Sequence, residues 1–200
     1  TVQNCFILDN SSTNSLGIGI NFTRTNLSVI YNNTIDTNGT TDNYGIQIAT
    51  RSYTNRIENN TIRTVGSGAN DFGVNIIGNT AGNNVTGNTI STNGTTANYG
   101  IVVQTDASRT TINSNNVTTV GSTTSNFGIY LVSRVNGTNI TNNVINTSGT
   151  NSNYGIILET SVNDTIVLNN TIYSGGSTSS NFGIYIITRS FRNNVTHNRV

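Results

Sequence analysis

The chain has 200 residues, a formal net charge of +1 and 8% charged residues, with no Pro, Met or Trp. Asn, Thr, Ser and Gly supply 113 of the residues (38, 35, 20 and 20, respectively). Nine scattered Arg set against eight acids argue against nucleic-acid binding, which needs a basic face to neutralise phosphates. The single cysteine, Cys5, excludes an intrachain disulfide. No apolar run approaches the roughly 18 residues of a membrane span.

A two-coil repeat runs through the chain, because one apolar position recurs at spacings that alternate between 28 and 27. This position holds Ile7, Ile35, Ile62, Ile90, Val117, Ile145, Ile172 and Val200. Two consecutive spacings always add to 55, so the repeating unit is a pair of coils. A second recurring position is a glycine before an aliphatic residue, at Gly17, Gly45, Gly73, Gly100, Gly128, Gly155 and Gly183. The residue before that glycine alternates between Tyr and Phe, at Tyr44, Phe72, Tyr99, Phe127, Tyr154 and Phe182.

Each coil contains three short runs of alternating residues, taken here from the second coil in chain order. The first run covers residues 33–37, the second 44–48 and the third 55–58. Alternation with a period of two, bounded by Gly, Asn and Ser, predicts strands, and no window has helical periodicity. A single coil cannot bury its apolar face alone, whereas stacked coils share a continuous core. The sequence therefore predicts an all-β parallel β-helix of about seven coils with three strands per coil.

Four sets of residues are predicted to face inward. Two follow the glycine, namely Ile46, Val74, Ile101, Ile129, Ile156, Ile184 and Ile48, Ile76, Val103, Leu131, Leu158, Ile186. A third wall comprises Ile57, Val85, Ile112, Ile140, Ile166 and Val195. The aromatic residues before the glycine have the same parity, so we expect them to stack in the core; a sugar-binding platform is the alternative.

Polar residues also recur at fixed positions and predict ladders of stacked side chains. Asn33, Asn60, Asn88, Asn115, Asn143, Asn170 and Asn198 form the first amide ladder, and Cys5 takes this place in the first coil. Asn43, Asp71, Asn98, Asn126, Asn153 and Asn181 form the second, in which Asp71 is expected to be partly exposed. A hydroxyl file comprises Thr37, Thr64, Thr92, Thr119, Thr147 and Ser174. Amides satisfy one another when each donates to one neighbour and accepts from the other.

The repeats Asn-Asn-Thr-Ile (32–35, 59–62, 169–172) and Asn-Tyr/Phe-Gly-Ile (98–101, 181–184) resemble those of the right-handed, pectate-lyase-like parallel β-helix superfamily. The resemblance covers essentially the whole chain and implies a right-handed solenoid. It implies no single function, because the superfamily includes pectin-cleaving lyases and hydrolases, phage tailspikes, adhesins and prokaryotic surface proteins. We expect one domain over residues 1–200, belonging to a longer repeat chain.

The charged residues do not predict an active site, a metal site or a cofactor. Asp36 and Arg63 occupy one outward position on adjacent coils, as do Asp106 and Arg134, which indicates surface ion pairs. The only candidate acid pair for glycoside cleavage is Asp42 with Asp71. His197 stands alone and is expected in a solvated turn.

Asparagine-X-Ser/Thr motifs supply fifteen candidate N-glycan acceptors, where composition alone predicts about ten. These are Asn10, Asn21, Asn26, Asn32, Asn38, Asn59, Asn84, Asn93, Asn116, Asn136, Asn139, Asn146, Asn163, Asn169 and Asn194. All are expected at outward or turn positions.

We therefore expect an extracellular structural or adhesive rod, a segment of a glycosylated cell-surface filament or sheath. We expect its partner to be the same protein, either as a second copy that stacks end to end or as a continuation of the same chain. The alternative is a carbohydrate-active enzyme or carbohydrate-binding module. Ice binding by an outward threonine file (Thr34, Thr61, Thr89) is a third hypothesis, which Asn116 and Val144 weaken by interrupting the file.

Overall fold

The computed structural model of the chain describes residues 1–10 and 17–200. The described residues form three parallel sheets, and each coil adds one short strand to each sheet. Sheet B receives the first strand of a coil, sheet C the second and sheet A the third. Three strands per coil and about seven coils confirm the predicted parallel β-helix.

The strands are bounded by turns that fall at the same place in every coil. Sheet A comprises β1 (Val2–Gln3), β4 (Val29–Tyr31), β7 (Arg56–Glu58), β10 (Asn84–Thr86), β13 (Thr111–Asn113), β16 (Asn139–Thr141), β19 (Ile166–Leu168) and β22 (Asn194–Thr196). Sheet B comprises β2 (Phe6–Asn10), β5 (Thr34–Gly39), β8 (Thr61–Gly66), β11 (Thr89–Gly94), β14 (Asn116–Gly121), β17 (Val144–Gly149) and β20 (Thr171–Gly176). Sheet C comprises β3 (Gly17–Thr23), β6 (Asn43–Ala49), β9 (Ala69–Ile77), β12 (Thr96–Gln104), β15 (Phe127–Val132), β18 (Tyr154–Glu159) and β21 (Ile184–Ile187).

The register follows the sequence repeat. In sheet B, Ile35 pairs with Ile62, which pairs with Ile90, and the same position continues to Ile172. In sheet C, the two predicted inward files pair coil by coil; Ile101, for example, pairs with Val74 and Ile129. Stacking in register turns a period-two pattern into continuous apolar files, as the sequence predicted.

These files form one core in the interior of the coils, built almost entirely of Ile, Val and Leu. Ile46, Ile57 and Ile129 have no exposed surface. Burial of each such side chain contributes about 1.5–3 kcal/mol, and β-branched side chains suit a pleated surface that packs on its neighbours. The apolar files therefore supply the main driving force for stacking the coils.

Two register assignments from the sequence were wrong. In the first coil Gly17 pairs with Asn43, so Gly19, not Gly17, corresponds to Gly45. The stretch from Ile7 to Gly19 in the first coil is two residues longer than the stretch from Ile35 to Gly45 in the second, and this difference hides the alignment.

In the third wall, Ile140 pairs with Val167, and Ile166 pairs with Asn139 on the outer face. Val167 has no exposed surface, whereas Ile166 is 39% exposed. Ile-Val-Leu at residues 166–168 is apolar throughout, so alternation gave no signal there.

The turns between sheets A and B use left-handed backbone at one position in every coil. That position holds Asn4, Asn32, Asn59, Gly87, Ser114, Asn142, Asn169 and His197, with φ between 53° and 68°. Asn tolerates this region better than most residues, which explains part of the asparagine content. His197 is exposed in this turn, as predicted.

Candidate functional site

The first amide ladder runs uninterrupted from Asn33 to Asn198, as predicted. The Nδ2 group of each asparagine donates to the Oδ1 atom of the next, at 2.9–3.0 Å. The same Oδ1 atom also accepts from the backbone N–H of the preceding rung, as in Asn88 N–H to Asn115 Oδ1 at 3.0 Å. In the first coil, the Cys5 N–H donates to Asn33 Oδ1 at 3.0 Å, so Cys5 ends the ladder without an amide.

A single rung shows why this position needs asparagine. Asn115 accepts from the side chain and backbone of Asn88, and it donates to Asn143 Oδ1 and to the Val85 carbonyl at 2.9 Å. Every polar atom of the side chain is thus paired, so its burial costs little. The ladder is a structural element that ties consecutive coils together.

The second amide ladder lies in the turn before sheet C. Asn98 Nδ2 donates to Asn126 Oδ1 at 2.7 Å, and Asn126 Nδ2 to Asn153 Oδ1 at 2.8 Å. At the lower end, Asn43 Nδ2 donates to Asp71 Oδ1 at 2.6 Å. The expectation that Asp71 is partly exposed was wrong, because its side chain stands in the ladder and has no exposed surface.

The candidate acid pair does not form a groove in which both carboxyls face a substrate. Asp42 is half-buried in the turn, where it accepts from Asn70 Nδ2 at 2.8 Å, whereas the carboxyl of Asp71 is enclosed. Burial is the largest cause that raises the pKa of Asp71 to about 6; two hydrogen bonds from Asn43 oppose it, and the charge of Asp42 reinforces it. The raised pKa reflects enclosure within the ladder.

The predicted hydroxyl file aligns, but it is not a hydrogen-bonded ladder: Thr37, Thr64, Thr92, Thr119 and Thr147 are buried, and Ser174 is half-buried. None of these five threonine Oγ1 atoms has a hydrogen-bond partner among the described residues. Their methyl groups lie close to the glycine file; a side chain at Gly45 would come within 3.5 Å of Thr64 Cγ2. The file therefore acts mainly as small, β-branched packing.

The aromatic residues stack, as predicted, but outside the core. Successive ring centroids of Tyr44, Phe72, Tyr99, Phe127, Tyr154 and Phe182 are 4.8–5.5 Å apart. Their contact with Tyr130, which stands between the inward residues Ile129 and Leu131, places the rings on the outer face of sheet C. The expectation of core aromatics was therefore wrong.

The glycine explains this reversal. A side chain at Gly45 would collide with Ile62 in the core, and the next residue, Ile46, also points into the core. Two consecutive residues thus face inward, so the alternation shifts by one residue and Tyr44 points outward. Because neighbouring rings cover one another's faces, mostly ring edges remain, which disfavours a sugar platform that needs an open ring face.

The fifteen candidate glycan acceptors all lie at the surface. Thirteen are exposed, and Asn84 and Asn163 are half-buried. Asn93, Asn116 and Asn146, on the outer face of sheet B, make no side-chain hydrogen bond within the described part of the chain, so a glycan there would displace no contact. Others take part in surface contacts, such as Asn32 Nδ2 to Asn4 Oδ1 at 2.8 Å.

Surface ion pairs connect neighbouring coils. Asp36 pairs with Arg63 at 3.0 Å and Asp106 with Arg134 at 2.7 Å, as predicted, and Asp164 pairs with Arg192 at 2.6 Å. The hydrogen bond from Arg134 is the largest cause that lowers the pKa of Asp106, and Arg192 lowers the pKa of Asp164 in the same way. The third pair was not predicted, although Asp164 and Arg192 are 28 residues apart, the length of one coil.

The arginines are not scattered, contrary to the sequence analysis. Coil-to-coil hydrogen bonds in the turn between sheets C and A align two outer columns that are three residues apart. The columns contain Arg24, Arg51, Arg109, Arg134, Arg189 and Arg192, hereafter the arginine corner. With Asp106 and Asp164, these columns carry six positive and two negative charges, a net +4, while the remaining three Arg and six acids give −3. Arg24, Arg51, Arg109 and Arg189 have no acid partner among the described residues.

Two further contacts escaped the sequence analysis. Asn55 and Asn83 form a short amide ladder before sheet A, at 3.1 Å, because Thr110, Thr138 and Thr165 occupy this position in later coils. On the outer face of sheet C, the Tyr130 hydroxyl donates to Glu159 Oε2 at 2.6 Å. Burial is the largest cause of the raised pKa of Tyr130, and this hydrogen bond to Glu159 raises it further.

The described residues contain no group of three or more His, Cys, Asp or Glu side chains that could hold a metal ion. These described residues also contain no helix with the length and apolarity needed to cross a membrane. A cavity of about 370 Å³ lies beside the last coil, lined by Tyr173, Ser174 and Val200 among others, and its described lining contains no Asp or Glu.

The family model of the right-handed β-helix region matches residues 1–117, more than half of the chain. The chain therefore belongs to the right-handed β-helix family, consistent with its three parallel sheets and amide ladders. No curated protein and no solved structure was found to match the chain significantly.

Proposed function

We propose that this chain is a structural rod segment of an extracellular cell-surface assembly, in which stacked coils carry N-linked glycans. The observation that carries the proposal is the regularity of the solenoid. The first amide ladder continues without a break from Asn33 to Asn198, and the described coils keep one register throughout sheet B. Sites built for catalysis usually break such local rules.

The distribution of acceptor asparagines supports a glycosylated surface. None of the fifteen sites is buried, and on sheet B they recur on several coils, as at Asn38 and Asn93. Glycans on these outward positions would cover the polar outer faces without disturbing either amide ladder. The apolar files and ladders favour stacking on further coils, whether of the same chain or of a second copy.

The proposal is tested with protein released from the surface of the cells that produce it. Immunogold labelling of intact cells reports location, and mass spectrometry of peptides reports glycan occupancy. We expect surface label and added mass on peptides that contain Asn93, Asn116 or Asn146. Label confined to the cell interior together with unmodified peptides would overturn the proposal.

A second candidate function is binding of an acidic carbohydrate polymer, and the arginine corner favours it. Arg24 and Arg51 are exposed neighbours on adjacent coils, which in parallel sheets are about 4.8 Å apart. Unpaired guanidinium groups along one line suit a chain of repeated carboxylates or sulfates, because guanidinium binds such oxyanions in bidentate fashion.

A cosedimentation assay with an insoluble acidic polysaccharide and a neutral one tests this candidate. The double variant Arg24→Gln/Arg51→Gln should lose binding to the acidic polymer, and binding should weaken with salt. The matched control is Arg63→Gln, which removes an arginine already paired with Asp36. Equal binding by both variants would contradict the role of the arginine corner.

A further inference from the structure

The second amide ladder contains one rung that amides alone cannot complete. Between Asp71 and Asn98, the facing atoms are Asp71 Oδ2 and Asn98 Oδ1, and neither has a hydrogen-bond donor among the described residues. Both residues are fully buried. Two oxygen acceptors therefore meet where every neighbouring rung has a donor and an acceptor.

The glycines beside the ladder show that this rung has the same geometry as the others. A side chain at Gly121 would collide with Asn126 Oδ1 and Asn98 Nδ2, which are hydrogen-bonded at 2.7 Å. At Gly149 the corresponding atoms are Asn126 Nδ2 and Asn153 Oδ1, at 2.8 Å. At Gly94 they are Asp71 Oδ2 and Asn98 Oδ1. The carboxyl oxygen thus stands where the other rungs place an NH₂ group.

We propose that Asp71 is a rung of the second amide ladder that depends on its proton. As a neutral carboxylic acid, Asp71 donates its Oδ2–H to Asn98 Oδ1. When that proton is lost to water, the ladder is interrupted at this rung. A carboxylate has no hydrogen to donate, so the neutral acid is the form that fits the amide orientation of Asn98. Asn43 fills the other side of the carboxyl through its bond to Oδ1.

The surroundings favour the neutral acid at mildly acidic pH. The titratable and charged groups on the strands packed against β9 are Tyr44, Tyr99 and Arg63, and the turn before β6 contributes Asp42. None of these groups hydrogen-bonds to Asp71 among the described residues, and Arg63 is paired with Asp36. In the part of the chain that the structure describes, no cation neutralises an Asp71 carboxylate, and Asp42 adds a second negative charge.

The sign of the pH effect follows from linkage. The pKa of Asp71 in the folded chain is about 6, raised above the ordinary value of 3.8, chiefly by burial. A raised acid pKa contributes stability that is complete below the ordinary value and is lost as the pH rises through about 6. Each pKa unit is a factor of ten, so this shift corresponds to a change in the unfolding equilibrium of roughly a hundredfold.

The experiment compares the full chain with Asp71→Asn and the surface control Asp36→Asn in urea unfolding between about pH 4 and pH 8. The amide introduced by Asp71→Asn would donate through its Nδ2 group, as the later rungs do. As the pH rises over this range, the wild type and Asp36→Asn should become less stable relative to Asp71→Asn. We expect their unfolding equilibrium constants to rise by up to about a hundredfold relative to that of Asp71→Asn. Parallel pH profiles of wild type and Asp71→Asn would overturn the proposal.

Infrared spectroscopy of the folded protein gives an independent measurement that needs no unfolding. A band of a protonated carboxyl should be present near pH 5, disappear as the pH rises, and be absent from Asp71→Asn while it persists in Asp36→Asn. Its absence from the wild type near pH 5 would mean that Asp71 is ionised and accepts from a reversed Asn98 amide, which contradicts the proposal.

Discussion

Replacing one rung of the first amide ladder should weaken the solenoid far more than replacing its neighbour in sequence. Asn115→Ala removes four hydrogen bonds from the centre of the ladder. Asn143 Oδ1 keeps the Asn115 N–H as a donor at 2.9 Å, and Asn88 Nδ2 keeps the Ile57 carbonyl as an acceptor at 2.8 Å. The backbone N–H of Asn88 loses its acceptor, and the Val85 carbonyl loses a donor.

The magnitude follows from these losses. A buried polar group left unsatisfied costs about 1–3 kcal/mol. With one orphaned N–H, one weakened carbonyl and a small cavity, we expect Asn115→Ala to lower the free energy of unfolding by about 2–4 kcal/mol. The control, Asn116→Ala, removes an exposed side chain on the outer face of sheet B and should change this free energy by less than about 0.5 kcal/mol.

Urea unfolding of the two variants, followed by circular dichroism, measures the difference. Hydrogen exchange locates it, because the amide of Asn88 should lose protection in Asn115→Ala and keep it in Asn116→Ala. If the two variants unfold at the same urea concentration and Asn88 stays protected, the ladder does not stabilise the stack as argued.

Three other predictions concern packing, register and tyrosine ionisation. Gly100→Ala places a side chain against Val117 and 2.6 Å from the Gly128 carbonyl oxygen, so it should lower the free energy of unfolding by at least about 3 kcal/mol. Gly175→Ala meets no atom of the described residues within 4 Å and should be close to neutral. Equal melting temperatures of the two variants would contradict this packing. In urea unfolding, Val167→Ala should lower the free energy of unfolding by about 2–3 kcal/mol, and Ile166→Ala should lower it by less than about 1 kcal/mol. The reverse order would support the register expected from the sequence, in which Ile166 faces inward. Tyr99, with a pKa raised from 10.0 to about 12, and Tyr130, whose pKa is also raised, should resist ionisation in an alkaline absorbance titration. Because the folded chain disfavours the phenolate, the stability is complete below the ordinary value of 10.0 and should be lost as the pH rises from there through the raised values. Tyr130→Phe should leave one tyrosine fewer with a raised pKa, and an unchanged titration would contradict this assignment.

The fold could be predicted because each coil repeats the same constraints. The coil period identifies Ile35 and Ile62 as neighbours although they are far apart in the chain. Asparagines at one phase of that period predicted the first amide ladder, since a buried amide at every coil needs a stacked partner.

The remaining assignments depended on backbone detail that periodicity does not carry. The aromatic file lies outside because the alternation shifts at glycines such as Gly45, which a period of two cannot reveal. Ile166 lies 26 residues after Ile140, one fewer than the shorter coil period of 27, whereas Val167 lies 27 residues after it. This difference in spacing was the one signal that Val167, not Ile166, belongs to the third wall. The arginine corner emerges only when two columns three residues apart are aligned in space.

Electron cryo-microscopy of the native surface material, with peptide mass spectrometry of the same sample, tests the proposed surface rod most directly. The proposal predicts rods with an axial repeat of about 4.8 Å, the spacing of stacked strands, and added glycan mass at exposed asparagines such as Asn93. An isolated particle with no continued stack and with peptides of unmodified mass would contradict it.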